Sequence, residues 1–401
     1  MMFNPSIQPR HARIEWPMVV AIGLLMLLGV AFVFSATMAN EATNFLPWYR
    51  QNFFKQIVWY LLGGSMAVVV CLVDYHILAR WSLVAYWTTI VLLVGVLVIG
   101  KKVMGATRWI DLQYFQLQPS EFAKLAFILI QGHFLSRPLE ELKLKGNFFK
   151  ALGLTALPFL LILKEPDLGS ALIFLPVGLV MLYVAGTPRR YLAQLVIGSG
   201  VLISLLLVDI LFAPPQWQFK LEEYQRQRLL VFFARDFAPK NATPEQRQRA
   251  RELQRDKSYN VEQALISVGS GGLTGKGWRQ GTQNSLGFLP RAVAHNDFIF
   301  SVIAEEEGFV GSVIVLALYG VILFSGIKIA GEARDRLGKL LAVGIVVMLF
   351  SHVFINIGMN IRIMPVTGVP LPLLSYGGSS VLCSLIAIGI LQNVYFYRRS
   401  Y

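Results

Sequence analysis

The sequence contains very few cysteines and few charged residues. Cys71 and Cys383 are its only cysteines, and both lie inside apolar runs, so there is neither a disulfide framework nor the cysteine spacing of a metal site. Charged residues make up only 15% of the chain, whereas 55% of its residues are apolar. This balance argues against an ordinary water-soluble protein and indicates a chain that folds in lipid.

Acidic residues are the scarcer of the two charged classes. The chain has 23 acidic and 36 basic residues, which gives a formal net charge of +13. Such an excess favours anionic lipid head groups and phosphate-bearing ligands. The basic residues are scattered among the connecting loops rather than gathered on one soluble module, so we expect no nucleic-acid partner.

Apolar runs of spanning or near-spanning length recur along the chain. They cover residues 18–38, 56–73, 82–100, 121–135, 149–163, 168–185, 191–212, 297–327, 340–361 and 381–397. We therefore predict an all-α, polytopic integral membrane protein with ten transmembrane helices. Residues 1–401 are expected to form a single domain, in which residues 213–296 are the one large extracytoplasmic loop.

The loops also predict how the chain is oriented. An even number of spans places both termini on one side, and the basic residues are concentrated in the loops of that side. By the positive-inside rule, both termini of this multi-pass protein are expected to be cytoplasmic, in the cytoplasmic (inner) membrane. The first apolar run superficially resembles a secretory signal, but it is too long for a signal core and more spans follow, so we expect it to be retained.

Asp297 stands where the large loop ends and the eighth apolar run begins. A charged group at such a boundary costs free energy, so it is usually retained only when it takes part in function or forms an ion pair. Two interpretations are open: Asp297 is the acid or base of an outward-facing site, or it caps a helix whose first amides attract an anion. Glu305 lies about 12 Å further along the helix, so it shares a site with Asp297 only across a water-filled cleft. The alternative is that Glu305 pairs with basic residues of other helices.

A second charge cluster opens the fourth run. Glu121 and Lys124 are three residues apart, on one helix face where they can neutralise each other. A structural salt bridge explains them, but such pairs are rare in lipid, which also favours a role in supporting a site. In the outer loop before them, Arg108 is a candidate phosphate contact, and Trp109 is typical of the interfacial aromatic belt.

Three loop segments carry further local signals. Asp167 is placed to cap the sixth helix. The sequence Thr243-Pro244-Glu245-Gln246 predicts a mostly polar helix that continues through about residue 257. Residues 365–380 are rich in proline and glycine and form no regular helix until after the prolines. We expect this irregular backbone to be buried in protein, where it forms one wall of a substrate cleft.

The glycine-rich stretch at residues 269–277 invites comparison with a nucleotide-binding loop. The glycine required five residues before Gly275 is replaced by Ser270, and Lys276 is followed by another glycine. The stretch is therefore not a Walker loop. It predicts a flexible backbone whose amides, together with Lys276, approach an anionic ligand near Asp297.

Six segments, in order along nearly the whole chain, resemble the SEDS family of bacterial cell-wall polymerases, most closely its elongation branch. They are Arg108-Trp109-Ile110, Gln118-Pro119-Ser120-Glu121-Phe122-Ala123-Lys124, Pro166-Asp167-Leu168-Gly169-Ser170, Gly269-Ser270-Gly271-Gly272, Asn296-Asp297-Phe298-Ile299-Phe300 and Ser375-Tyr376-Gly377-Gly378-Ser379. The resemblance implies a peptidoglycan glycosyltransferase that polymerises lipid II at the outer face of the cytoplasmic membrane during cell elongation and shape maintenance. It also implies a class B penicillin-binding transpeptidase and other elongation-complex membrane proteins as partners.

The resemblance also implies roles for residues. The aspartate that is essential in the family matches Asp297, and the positions matching Trp109, Glu121 and Lys124 are implicated in activity or its regulation. The chain departs from the family just upstream of Asp297, where an acidic residue is missing, so the role of that residue is not carried over. Residues 236–257 look inserted, and no role is assigned to them.

Transfer from a pyrophosphate-linked sugar requires only one carboxylate. Pyrophosphate leaves as an anion and needs cations, whereas the incoming sugar hydroxyl needs a base. We therefore predict that Asp297 deprotonates the acceptor in an inverting displacement, while Arg108, Lys276 and Arg291 are candidates for holding pyrophosphate. A divalent cation is left open as a cofactor. The pKa direction of Asp297 is also open, because the helix N-terminus favours the carboxylate and apolar neighbours oppose it.

Two rival functions are considered beside the enzyme. A flippase or transporter of lipid-linked cell-wall precursors predicts charges distributed across the bilayer and access from both sides, whereas the strongest cluster here is outward. A scaffold that recruits wall enzymes explains the helix bundle but does not explain Asp297.

Overall fold

A computed structural model describes most of the chain. It covers residues 14–38, 47–103, 106–111, 116–212, 223–233, 237, 243–290 and 293–399. The helices of these residues are α1 (Trp16–Met38), α2 (Asn52–Leu72), α3 (Tyr75–Arg80), α4 (Ser82–Ile99), α5 (Pro119–Leu135), α6 (Leu139–Leu142), α7 (Lys145–Lys164), α8 (Leu168–Val184), α9 (Arg189–Phe212), α10 (Glu223–Phe232), α11 (Pro244–Ser270), α12 (Thr282–Ser285), α13 (Ile299–Glu332), α14 (Arg336–Asn360) and α15 (Gly378–Phe396). Short 3₁₀ turns lie at Trp48–Arg50 and Tyr397–Arg399.

Every apolar run predicted from the sequence matches one of these helices, with ends that differ by at most two residues where the run extends beyond the helix. Within the described residues, eight helices are long and apolar enough to cross a membrane. The fourth and sixth predicted spans correspond to α5 and α8, which have 17 residues each and so extend about 26 Å, slightly less than a typical hydrocarbon core. The polytopic membrane fold is confirmed, and the count of ten spans stays a prediction.

A small antiparallel sheet interrupts the otherwise helical structure. Strand β1 (Lys101–Val103) pairs with β2 (Ala106–Asp111), which pairs with β3 (Gln116–Leu117). The sequence predicted only a short outer loop here, because none of the strands is long enough to show a clear alternation of apolar residues. The sheet carries Arg108 and Trp109 on β2 and leads directly into α5.

Helices α14 and α15 form the interior of the bundle. In their most apolar stretches, 78% and 83% of the residues are buried inside the protein. Helix α15 packs closely on α2, where a side chain at Gly389 would collide with the carbonyl oxygen of Ala67. Small residues at such crossings let two backbones approach, which is how helices gain packing energy in lipid. Helix α9 is peripheral, with only 6% of its apolar stretch buried.

The described part of the large loop is mainly helical. The predicted start of α11 is confirmed, because Thr243 and Gln246 form a capping box. The predicted end near residue 257 is too early, since α11 continues to Ser270. Its last turns bury Ala264 and Ser267 against α13, and this tertiary contact extends the helix beyond its polar half.

Helix α13 is broken at Gly308, which has φ 67° and ψ −158°. The glycine stretch after α11 supplies the hydrogen-bond acceptors that the break removes. The amides of Phe309 and Val310 donate to the carbonyls of residues 272 and 273 (2.9 and 3.1 Å). In return, the amides of residues 276 and 277 donate to the carbonyls of Glu305 and Glu306 (3.0 and 2.9 Å). The stretch therefore completes a helix, rather than offering these two amides to a ligand near Asp297 as the sequence predicted.

Candidate active site

Asp297 precedes α13 without capping it. The residue that caps α13 is Phe298, and no side chain donates or accepts a capping hydrogen bond there. The main-chain amide of Asp297 donates to Val293 (2.9 Å), and its half-buried side chain lines a cavity. The interpretation of Asp297 as a helix cap is therefore wrong, and the interpretation as a site residue remains.

Two buried asparagines of α14 hold the backbone of Asp297. Its carbonyl oxygen accepts hydrogen bonds from the side-chain amides of Asn356 (3.0 Å) and Asn360 (3.1 Å), both of which are fully buried. Ser301 donates to the amide oxygen of Asn360 (2.6 Å), which fixes the orientation of that amide. A buried carbonyl oxygen with two donors is well satisfied, so the backbone of Asp297 is held in place. The position of its carboxylate is restricted as a result.

The irregular segment at residues 365–380 lies beside Asp297. Its backbone is non-helical up to Gly377 and largely buried, as predicted. Asn356 donates to the carbonyl oxygen of Val369 (2.8 Å), and Ser375 donates to that of Asn296 (2.5 Å). The segment therefore forms a wall that is tied directly to Asn296 and, through Asn356, to Asp297.

The cavity at Asp297 has a volume of about 360 Å³ and is rich in cations. Arg228 of α10, Lys257 of α11 and Arg362, which follows α14, line it together with Asp297. The other lining residues are Gln227, Val231, Phe232, Asn260, Val261, Pro290, Val293, Phe298, Met364, Pro365 and Val366. One carboxylate, three cations and an apolar surface thus meet in one cleft, which suits an anionic ligand with an apolar tail.

The sequence did not identify these three cations as site residues. They come from segments far apart in the chain, and nothing in their local sequence separates them from other basic loop residues. One signal was present for Arg362, which lies three residues before the segment predicted to be a cleft wall. Arg291, the third sequence candidate for pyrophosphate, lies outside the described residues.

The environment of Asp297 favours its protonated form. Burial raises the pKa of Asp297 to about 6, although Arg228 and Arg108 lower it, and the negative charge of Asp167 raises it further. This settles the direction that the sequence left open, because desolvation outweighs the nearby cations. Burial also lowers the pKa of His295 to about 4, so this neighbour is neutral at physiological pH.

Arg108 approaches Asp297 across a glycine. A Cβ atom at Gly368, which has φ +75°, would lie 3.5 Å from Oδ2 of Asp297 and 3.8 Å from Nη1 of Arg108. Nη1 of Arg108 lies 3.7 Å from Oδ1 of Asp167, while Nη2 donates to the carbonyl oxygen of Pro166. Asp167 also caps α8 through the amide of Ser170, as predicted. Arg108 is therefore held near Asp297 by the turn between α7 and α8.

The remaining sequence candidates lie apart from the cavity. Nζ of Lys124 is 2.6 Å from Glu121 and 2.7 Å from Nε2 of His352, and all three side chains are buried, so the predicted pairing of Glu121 and Lys124 is confirmed. Trp109 is half-buried and follows Arg108 on β2. Successive strand residues face opposite sides, so Trp109 does not share the face of Arg108.

Lys276 is engaged by Glu305. Its Nζ atom lies 2.6 Å from Oε1 of Glu305, and the same oxygen accepts hydrogen bonds from Thr282 and from the amide of Gln283. The acid-pairing interpretation of Glu305 is confirmed, with a partner in the loop after α11 instead of on another spanning helix. Lys276 is not among the residues that line the Asp297 cavity.

Comparison with known proteins places the chain among cell-wall enzymes. The cell cycle protein family of FtsW, RodA and SpoVE matches residues 15–400. Peptidoglycan glycosyltransferase MrdB of Escherichia coli (strain K12) is 36% identical over 376 residues, covering 94% of this chain and 93% of the relative. Peptidoglycan glycosyltransferase RodA of Treponema pallidum (strain Nichols) is 33% identical, with coverage of 92% and 94%.

Solved structures agree over almost the entire chain. A chain from a peptidoglycan synthase complex, described for its structural coordination of polymerization and crosslinking, has a TM-score of 0.75 and 27% identity, with coverage of 97% of this chain and 99% of that one. The crystal structure of the Thermus thermophilus rod shape determining protein RodA has a TM-score of 0.65 and 26% identity, with coverage of 98% and 100%.

Proposed function

Because this chain belongs to the FtsW/RodA/SpoVE family of cell cycle proteins and is a peptidoglycan glycosyltransferase, we propose that Asp297 is its general base and that lipid II is its substrate. The observation that carries the proposal is that Asp297 shares one cavity with Arg228, Lys257 and Arg362. A base and a set of cations are the two elements that transfer from a pyrophosphate-linked sugar requires.

The chemistry assigned to the cavity is an inverting displacement. The acceptor hydroxyl gives its proton to Asp297 as its oxygen forms a bond to the anomeric carbon of the donor. The bond from that carbon to the pyrophosphate oxygen breaks, and the polyprenyl pyrophosphate leaves with the electron pair. The cations that line the cavity stabilise the charge that develops on this leaving group. No carboxylic acid is needed on the leaving-group side, in contrast to hydrolysis of an ordinary glycoside.

The raised pKa of Asp297 supports the role of a base near neutral pH. A carboxyl group with a pKa of about 6 is mostly ionised at pH 7 and is more basic than an ordinary aspartate. Arg108, held on the other side of Gly368, lowers the pKa of Asp297 and so limits how far burial raises it. We assign two roles to Arg108. It tunes the pKa of Asp297, and it contacts the phosphate of the substrate, which is the role expected from the sequence.

Trp109, Glu121, Lys124 and Lys276 stay in the proposal as site-supporting residues. Glu121 and Lys124 open α5, which follows the sheet that carries Arg108 and Trp109, so the pair is placed to fix that sheet against the bundle. Lys276 holds the loop that completes α13 at Gly308. These residues would then affect activity by positioning α13 and the outer sheet.

The cellular setting is proposed from the relatives. Several of them are named MrdB or RodA, which supports a role in elongation and shape maintenance. The similarity to a chain of a complex that coordinates polymerization and crosslinking supports a class B penicillin-binding transpeptidase as partner, together with other membrane proteins of the elongation complex. The distribution of basic residues supports cytoplasmic termini, with the Asp297 cavity on the outer side. The names of the relatives argue against the flippase alternative.

The experiment is polymerisation of lipid II by the purified full-length protein, with and without its transpeptidase partner. Asp297→Asn should fold and should form glycan strands at least about 100-fold more slowly, because a positioned base contributes on this scale. Asp256→Asn, at an exposed aspartate of α11, is the matched control and should polymerise like the wild type. Undiminished polymer from Asp297→Asn would end the assignment.

The same assay tests whether the reaction requires a divalent cation. Among the described residues, no group of three or more histidine, cysteine, aspartate or glutamate side chains is arranged to hold a metal ion. A divalent cation that takes part in the reaction would be expected at the pyrophosphate of the substrate, whose oxygens are suitable ligands. If such a cation takes part, a chelator should slow polymerisation by the wild type and added Mg²⁺ should restore it.

A further inference from the structure

A second cavity lies at the opposite end of the bundle from Asp297. It has a volume of about 690 Å³ and is formed between the turn from α8 to α9 and the facing parts of α13 and α14. Tyr183, Ile327 and Val343 supply apolar surface, and Arg189 and Lys339 supply positive charge. The cavity thus combines an apolar groove with a cationic rim.

This cavity is at the end of the bundle where the described part of the chain begins and ends. Gly331 lines it, and the next residue, Glu332, forms an ion pair with Arg398 near the C-terminus (3.3 Å). Lys328, one turn earlier on α13, pairs with Glu15 just before α1 (3.2 Å). In the orientation proposed above, the cavity therefore faces the cytoplasmic leaflet, whose anionic lipids attract basic residues.

Helix α9 leaves the groove accessible from the bilayer. Only 6% of its apolar stretch is buried inside the protein, and its main packing partner is α8. The other apolar faces of α9 are not covered by the described part of the protein, so acyl chains of the bilayer can pack against them. Acyl chains can therefore run along α9 while a head group sits at the cavity.

The charge at the cavity is unbalanced. No acidic side chain of the described residues lines it, and no ion pair of Arg189 or Lys339 occurs in the part of the chain that the structure describes. The nearby Arg336 is different, because its guanidinium donates to the carbonyls of Arg137 and Ala185 (2.8 Å each). Two cations that share a groove between spanning helices match an anionic phosphate group.

We propose that this cavity binds one anionic glycerophospholipid of the inner leaflet, with its phosphate at Arg189 and Lys339 and its acyl chains along α9. Basic pockets between spanning helices on the cytoplasmic side are known to hold such head groups. The lipid fills the gap between α9 and the rest of the bundle, and it does so at a distance from the polymerisation site.

The test uses the full-length protein and native mass spectrometry, with phosphatidylglycerol and phosphatidylcholine of identical acyl chains as probes. The wild type should retain phosphatidylglycerol in preference to phosphatidylcholine. The double variant Arg189→Ala/Lys339→Ala should retain phosphatidylglycerol roughly 10- to 30-fold more weakly, since each cation near a head group contributes modestly. The control Arg190→Ala/Lys145→Ala removes the same charge from two exposed residues that do not line the cavity, and it should bind within about twofold of the wild type.

The outcomes distinguish a specific lipid site from general charge attraction and from binding of a free anion. Equal retention of the two lipids by the wild type, or equal loss in both double variants, would show that binding reflects general charge and would overturn the proposal. Displacement of the lipid by millimolar inorganic phosphate would also overturn it, because the site would then recognise a free anion. Melting temperatures of both variants within a few degrees of the wild type would confirm that the exposed substitutions leave the fold intact.

Discussion

Asn356 links Asp297 to the wall of its own cavity. Its side-chain amide lies 3.0 Å from the carbonyl oxygen of Asp297 and 2.8 Å from that of Val369. One buried side chain of α14 therefore sets the position of the proposed base and of the irregular segment that faces it. The distance between the proposed base and the wall is therefore set by α14.

The first prediction concerns Asn356→Leu. Both carbonyls would lose a donor in a buried place, which should lower the free energy of unfolding by about 1–3 kcal/mol and reduce polymerisation at least tenfold. Asn393→Leu is the matched control, because Asn393 is equally buried and donates to carbonyls at the C-terminal end of α2, far from Asp297 along the bundle. Asn393→Leu should lower the free energy of unfolding by a similar amount, measured by thermal unfolding. It should leave the polymerisation rate per folded molecule unchanged. Equal rate losses in the two variants would contradict a positioning role.

The second prediction is a pH dependence. A base must be deprotonated, so the rate should fall as pH decreases through the pKa of Asp297, which burial raises to about 6 against the effect of Arg228. Arg228→Gln removes a cation that lowers the pKa of Asp297, so this pKa should rise. The acidic limb of the pH–rate profile, where the rate falls with decreasing pH, should then move by about one pH unit to higher pH. His295, with a pKa of about 4, does not change charge between pH 5 and 7.5.

Initial polymerisation rates from pH 5 to 7.5 measure this shift. The control is Arg251→Gln, at an exposed arginine of α11, which should leave the limb in place. A limb that stays at the same pH in Arg228→Gln would show that another group controls the rate.

The third prediction distinguishes two lysines. Lys257→Met should raise KM for lipid II about tenfold or more, because a charged hydrogen bond to phosphate contributes about 1.5–3 kcal/mol. Lys276→Met should instead lower the melting temperature and leave KM nearly unchanged, since Lys276 pairs with Glu305. Steady-state kinetics and thermal unfolding of both variants measure the difference. A similar rise of KM in Lys276→Met would restore the role in substrate binding that the sequence assigned to it.

Local sequence patterns predicted the elements around the site well. The cap at Asp167, the capping box at Thr243 and the charge pair at the start of α5 each depend on residues three positions apart, and all are present. The segment at residues 365–380 was predicted to be irregular because prolines exclude a helix whatever the tertiary contacts are. In each case a local rule was sufficient. The apolar runs are local patterns too, and they predicted the fold class and the position of Asp297 at the start of a spanning helix.

Long-range contacts account for what the sequence did not predict. Arg228, Lys257 and Arg362 meet at Asp297 only after α10, α11 and the end of α14 have folded together. The glycine stretch was interpreted as ligand-binding backbone because its true partner, the break at Gly308, lies more than thirty residues further along the chain. No periodicity or motif identifies which of many basic loop residues will share a cavity.

The fourth prediction concerns Glu121 and Lys124. Lys124→Met would leave the Glu121 carboxylate buried without its ammonium partner, which should lower the free energy of unfolding by about 3–5 kcal/mol. The double variant Glu121→Gln/Lys124→Met removes both charges and should recover most of that stability. Polymerisation by the double variant then separates two roles: recovery indicates a structural pair, whereas persistent loss indicates that Lys124 supports the reaction itself.

The fifth prediction tests the break in α13. A Cβ at Gly308 would lie 2.3 Å from the amide nitrogen of Gly275 and 2.7 Å from the carbonyl oxygen of Leu273, and its φ of +67° is strained for any residue with a side chain. Gly308→Ala should therefore lower the free energy of unfolding by about 2 kcal/mol or more and displace the loop that holds Lys276.

Gly320 of the same helix provides the control for Gly308→Ala. No atom lies within 4 Å of a Cβ built at Gly320, so Gly320→Ala should be neutral or stabilise the protein by up to about 1 kcal/mol. Thermal unfolding measures both effects, and hydrogen exchange of the amides at residues 309 and 310 reports whether the loop still accepts their hydrogen bonds. Unchanged protection of these amides in Gly308→Ala would mean that the helix tolerates a side chain at its break. The loop would then not be needed to complete α13.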